Sequence, residues 1–109
     1  MSVDVLAIGS HPDDLELACG GTIAKLVKQG FKVAMADATQ GELGTRGTKE
    51  IRAKEADQAA KVLGAVTRRN LKIPDGGVEV NRENIQRGIT LIRELRPKIC
   101  LFPHSVDRH

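Results

Sequence analysis

One imidazole and two carboxylates lie side by side in the run Ser10-His11-Pro12-Asp13-Asp14. Imidazole and carboxylate donors suit zinc, which in catalytic sites takes three protein ligands and keeps a further position for water. His11 and Asp14 together can hold such an ion, which leaves Asp13 to act as a base. A metal there lowers the pKa of its water to about 7 and polarises a substrate carbonyl, while a neighbouring carboxylate accepts the proton. Asp13 and Asp14 also suit the positive first turn of a helix. Capping accounts for one carboxylate, but not for a second one plus a histidine next to a rigid proline.

The elements on either side give this run its place. Val3 to Ile8 is apolar apart from Asp4 and reads as a buried strand. Leu15 to Gln29 follows as a helix with Leu17, Ile23, Leu26 and Val27 on one side and Gly30 as its stop. Gly20 and Gly21 in its early turns either let it lie close to the sheet or are merely tolerated. Phe31 to Thr39 reads as a second strand, ending in a glycine-rich polar loop from Gln40 to Thr48 that contains Glu42 and Arg46. A helix over Thr48 to Leu63 carries Ile51, Ala56, Ala59, Ala60 and Leu63 near one stripe, with Gly64 as its stop. A short strand, Val66 to Leu71, closes in the turn Ile73-Pro74-Asp75-Gly76-Gly77. Asn81 can cap a helix over Arg82 to Leu95, in which Ile85, Ile89, Ile92 and Leu95 recur at helical spacing. Pro97 ends it, and Lys98 to Phe102 is the last strand. Strand and helix alternate throughout, which predicts one α/β domain over residues 1–109: a Rossmann-like three-layer sandwich on a mainly parallel sheet.

Parallel strands point the same way, so whatever follows each strand shares one rim, where ligands of open α/β sheets bind. Four groups meet there: His11, Asp13 and Asp14; Glu42 and Arg46, with Arg52 opening the next helix; Asp75; and the closing stretch with His104, Asp107, Arg108 and His109. All three histidines of the chain are among them. His104 on its own reads as a solvated loop histidine. Arg46 and Arg52 offer forks for an anionic substrate group.

Composition narrows the classes. A net charge of +3 with two phenylalanines and no Trp or Tyr leaves little with which to grip or stack nucleic acid. No segment reaches a membrane span, and the start lacks a signal peptide's basic and apolar regions. Cys19 and Cys100 fall in elements and read as reduced, buried small side chains. These features point to the cytoplasm.

Taken together, Ser10-His11-Pro12-Asp13-Asp14, the stretch TQGELGTRG from Thr39 to Gly47, Arg52 with Glu55 and Ala56, Asn70-Leu71 before Pro74-Asp75-Gly76, and Asp107-Arg108-His109 resemble the zinc-dependent N-acetylglucosaminyl deacetylases of the PIG-L and LmbE-like family. These motifs run in family order across essentially the whole chain. Within the family the chain looks most like the bacillithiol-pathway enzymes that deacetylate N-acetylglucosaminyl malate. The resemblance implies that His11 and Asp14 bind zinc, or another divalent metal, and that Asp13 is the general base. It also implies that Arg52 and Asp75 contact the sugar conjugate, with Glu42 and Arg46 beside them, and that the protein forms homo-oligomers. His109 matches the first histidine of the family's His-Pro-Asp-His motif, an acid or oxyanion partner, whose second histidine completes the metal site. That second histidine falls beyond residue 109, so the sequence resembles the N-terminal half of the family's domain. The expectation is a piece of a longer chain that by itself binds zinc weakly and turns over little.

Other classes fit less well. A receiver-like signalling module also carries paired acids after its first strand, but the later acceptor aspartate and lysine are missing and His11-Pro12 has no role. Dinucleotide binding lacks the Gly-x-Gly-x-x-Gly turn. A non-catalytic remnant would keep the fold without the chemistry.

Overall fold

A computed structural model of the chain describes residues 2–12, 14–41, 48–74, 76 and 81–102. The elements are β1 (Val5–Gly9), α1 (Asp14–Lys28), β2 (Val33–Asp37), α2 (Lys49–Leu63), β3 (Thr67–Asn70), α3 (Arg82–Leu95) and β4 (Ile99–Leu101). The strands form one sheet in the order β3-β2-β1-β4, and every pairing is parallel. Handedness then fixes the layers. From β1 to β3 the chain steps towards one edge, and right-handed crossovers lay α1 and α2 on a single face. From β3 it returns past β1 to β4, so the same hand puts α3 on the opposite face. The alternating α/β pattern of the sequence thus becomes the expected three layers.

Alternation within the strands feeds two cores. Val5 and Ala7 of β1 with Val33 and Met35 of β2 pack under Leu15, Ile23 and Ala60. Their neighbours Leu6, Ala34 and Ala36 turn the other way, onto Leu91 and Leu95 of α3. Both faces of β1 and β2 are covered, which is why these strands read as apolar runs and not as alternating ones.

Element ends depart slightly from the expected ones, for local reasons. The first strand begins later than Val3, because the Val3 N–H donates to the Leu95 carbonyl at the end of α3 (3.0 Å). The second begins later than Phe31, whose N–H donates to Leu26 in the C-terminal turn of α1 (3.1 Å). Thr48 caps α2 by accepting from the Ile51 N–H at 3.2 Å, and Asn81 caps α3 by accepting from Asn84 at 2.8 Å. Helix α1 is broken at Cys19 (φ −144°, ψ 20°). The glycines after it serve no close packing: a Cβ on Gly20 would meet only Leu63, at 4.0 Å, and one on Gly21 nothing. Cys19 and Cys100 are free and half-buried, and burial, helped by Glu16, pushes the Cys19 thiol up.

One expectation needs correcting. The stripe Ile85, Ile89 and Ile92 does not face the sheet; those side chains are 49%, 38% and 43% exposed, and α3 docks instead through Leu91 and Leu95. Helix α2 behaves likewise, with Ile51 exposed and Ala56 and Ala60 buried. Small residues there let α2 settle close to the sheet. Among the described residues no helix is long and apolar enough to cross a membrane.

Candidate active site

The sheet order brings the carboxyl ends of β1 and β4 side by side at the point where the chain reverses direction across the sheet. That reversal opens the crevice in which doubly wound sheets bind ligands. His11 lies at this edge, on the turn leaving β1. Its Nδ1 lies 3.5 Å from Oδ2 of Asp14, and both side chains are largely but not wholly buried. The same Asp14 oxygen accepts the His11 backbone N–H (2.8 Å), while the Asp14 N–H donates back to the His11 carbonyl (3.2 Å). The turn is therefore closed on itself, with one imidazole nitrogen and one carboxylate facing the same small volume.

The neighbouring rim is sewn to this turn. Ala38 and Thr39, just past β2, donate to Gly9 (2.8 Å) and Ser10 (3.0 Å), extending the β1–β2 ladder beyond both strands. Thr39 is fully buried, accepts the Gly41 N–H on its hydroxyl (3.1 Å) and gives its carbonyl to the Asn70 side-chain amide (2.7 Å). Arg52, on the first turn of α2, donates from Nη1 to the Gly41 carbonyl (3.0 Å). Gly41 has φ +67°, and a Cβ built there would lie 2.8 Å from Arg52 Nη1. Gly41→Ala should therefore cost about 1–2 kcal/mol through its left-handed backbone and push Arg52 off its carbonyl. A melting curve reads the first effect.

Beneath the turn lies a buried charge cluster that sequence reasoning missed. The side chain of Arg68 in β3 is only 3% exposed and grips Asp37 with a fork, Nε to Oδ2 at 2.7 Å and Nη2 to Oδ1 at 2.8 Å. Nη2 also reaches Glu16 Oε1 (2.9 Å) and the Pro12 carbonyl (3.0 Å), and Nη1 reaches the Ala56 carbonyl (3.3 Å). Burial pushes the Asp37 carboxyl up, against the pull of the Arg68 fork, with Glu16 and Asp14 adding to the push. For Arg68, burial works against the charge, but the hydrogen bonds and charges of Asp37 and Glu16 outweigh it and hold the guanidinium above its usual range. A signal existed in the sequence: Asp37 ends a strand with no other polar residue, and a buried carboxylate must have a partner. On the next strand, Arg68 and Arg69 point to opposite faces, Arg68 to this cluster and Arg69 to Glu94 of α3 at 2.6 Å.

Pro12, Asp37, Gln40, Lys49, Arg68 and Asn70 line a cavity of about 70 Å³ under the rim. That is room for a few waters.

Of the expected site residues, then, the structure unites His11 with Asp14 and sets Arg52 on the adjoining rim. Asp13, Glu42, Arg46, Asp75 and His109 lie outside the described residues, as do His104, Asp107 and Arg108. Among the described residues no three His, Cys, Asp or Glu side chains converge as a complete metal site. The donor chemistry of the His11–Asp14 pair nevertheless fits zinc, as two ligands of a three-ligand site.

The chain matches the family described as PIG-L: GlcNAc-PI de-N-acetylase over residues 6–109. Diacetylchitobiose deacetylase of Thermococcus kodakarensis is 35% identical over 106 residues, covering 91% of this chain and 40% of its own. A probable N-acetyl-α-D-glucosaminyl L-malate deacetylase 2 of Bacillus cereus is also 35% identical, over 121 residues, covering 97% of this chain and 55% of its own. Among solved structures, the conserved protein TT1542 of Thermus thermophilus superposes with a TM-score of 0.92 at 41% identity, covering 98% of this chain and 49% of its own. The chain thus spans about half the length of the relatives it matches.

Proposed function

The chain belongs to the PIG-L family, described as GlcNAc-PI de-N-acetylases, and from that premise we propose that the full-length protein hydrolyses the acetamide of an N-acetylglucosamine conjugate. The observation that carries this reading is the His11–Asp14 pair, 3.5 Å apart on the turn after β1, at the reversal point of the sheet. The family description and the two named relatives differ in what is joined to the sugar, but the acetylated glucosamine is common to them. That shared group is the natural substrate class.

His11 and Asp14 would hold the zinc ion, with a third ligand supplied beyond residue 109. When bound, the metal supplies Lewis acidity to the acetamide carbonyl and acidifies a water. Asp13 takes the proton from that water as its oxygen attacks the carbonyl carbon. His109, protonated, donates a hydrogen bond to the developing oxyanion and then passes its proton to the leaving nitrogen as the C–N bond breaks. Acetic acid and the amine are released, the acid's proton passing to the amine to give acetate and an ammonium group, and proton transfer from Asp13 to His109 via solvent restores the site. Arg52 and Asp75 position the sugar, with Glu42 and Arg46 as further substrate-binding residues.

Among the possible conjugates we place N-acetylglucosaminyl malate, of the bacillithiol pathway, first. Arg46 and Arg52 suit its carboxylates through charge-assisted bonds, whereas diacetylchitobiose offers no anion. Acetate release measured side by side on the two compounds decides the matter; preference for the neutral disaccharide would overturn the malate assignment. Chelation followed by dialysis should abolish turnover of the full-length protein, and stoichiometric zinc should restore it. The 109-residue chain alone should bind zinc far more weakly than the full-length protein in a competition titration against a chromophoric chelator.

A further inference from the structure

We propose that Arg68 is a positioning residue for the hydrolytic site, holding the turn that carries the proposed metal ligands and base; the proposal rests on the reading of His11 and Asp14 as ligands. Its acceptors come from four separate pieces of the chain: Pro12 in the β1–α1 turn, Glu16 in the first turn of α1, Asp37 at the end of β2 and Ala56 in the middle of α2. The two hydrogens of Nη2 are shared among three oxygens, and one of these, the Pro12 carbonyl at 3.0 Å, belongs to the peptide bond that joins Pro12 to Asp13. Glu16, gripped by the same nitrogen at 2.9 Å, follows Asp14 by two residues. One guanidinium therefore anchors the chain on both sides of the Asp13-Asp14 pair.

Stability alone gives little reason for an arginine here. A buried ion pair is commonly no more stabilising than apolar side chains of similar volume, because both charges must be stripped of water. What an apolar side chain cannot supply is a rigid set of donors aimed at Pro12 and Glu16. Partners that orient the ligands of a metal typically affect its affinity or the activity about 10–100-fold. Arg68 stands in that relation to the turn: its hydrogen bonds go to Pro12, Glu16, Asp37 and Ala56, and it acts on the turn through Pro12 and α1.

The test compares Arg68→Met, the double variant Arg68→Met with Asp37→Leu, and Arg68→Lys, all in the full-length, zinc-loaded protein. Arg68→Met strands Asp37 and should melt early. The double variant removes both fully buried charges, leaving only the partly exposed Glu16 without its partner, and should recover much of the melting temperature. Arg68→Lys keeps a counter-charge for Asp37 without the fork, and covers the case in which the double variant does not fold. A positioning role predicts that the folded variants bind zinc about 10–100-fold more weakly. It also predicts a fall in kcat with KM nearly unchanged, and an altered visible spectrum when cobalt(II) replaces zinc. Folded variants with wild-type zinc affinity, cobalt spectrum and kcat would show a purely structural arginine and overturn the proposal. Wild-type protein that takes up no zinc would overturn the metal reading itself, and this proposal with it.

Discussion

Replacing Asp13 by asparagine in the full-length protein is expected to lower kcat by about 10²–10⁴-fold, the usual contribution of a positioned general base, while zinc content stays at the wild-type level. The two effects separate because the proposed ligands are other residues. His11 and Asp14 close their own turn through the His11 N–H and the Asp14 carboxylate, 2.8 Å apart, a contact that does not involve the Asp13 side chain. His11→Ala should behave in the opposite way, losing the metal first and activity as a consequence. Metal analysis by mass spectrometry alongside acetate release distinguishes the two. An Asp13→Asn protein that keeps both zinc and full turnover would move the base to another residue.

The second large effect is on stability. Asp37→Ala leaves the Arg68 guanidinium buried with its principal partner gone, since the Arg68 and Asp37 side chains are each 3% exposed. Breaking a buried pair in this way costs about 3–5 kcal/mol, a substantial part of the roughly 5–15 kcal/mol that holds a domain folded. In urea, where slopes run about 1–3 kcal/mol per molar for small proteins, the midpoint should fall by about a molar or more. Glu94→Ala is the internal control. Its ion pair with Arg69 is the shorter of the two at 2.6 Å, but both side chains are well exposed, so its loss should cost less than about 1 kcal/mol. Burial, not distance, sets the order.

Much of this architecture was legible in the residues. The apolar runs of β1 and β2, the proline and glycine stops, and the strict alternation of strand and helix led directly to a parallel sheet covered on both faces. The His11–Asp14 pair was legible too, because a strand-to-helix turn places its side chains on the ligand-binding edge in any such sheet. Helix α3 shows where periodicity runs short. It carries two apolar rows, one through Ile85, Ile89 and Ile92 and one through Leu91 and Leu95, and helical spacing alone does not say which row meets the sheet. The Arg68 cluster escaped for a related reason. A charged residue in a short strand reads as surface, and only the β2–β3 pairing, Met35 opposite Arg68 and Asp37 opposite Asn70, shows that Arg68 and Asp37 share a face. Pairing register is a long-range property, and no local pattern encodes it.

The strand order has a further consequence for how the site comes into being. β1, β2 and β3 follow one another in sequence and lie side by side in the sheet, so their two crossovers close over shorter stretches of chain than the β1–β4 pairing does, at lower entropic cost. The turn bearing His11 and Asp14 and the Arg68 brace all belong to this early-closing part. β4, by contrast, pairs Val5 with Ile99, a much more distant part of the sequence. Contacts so distant in sequence form slowly. In a folding experiment, hydrogen-exchange protection should therefore appear in β2 before β4. The two proposed metal ligands, His11 and Asp14, would be in place while β4 is still finding its partner.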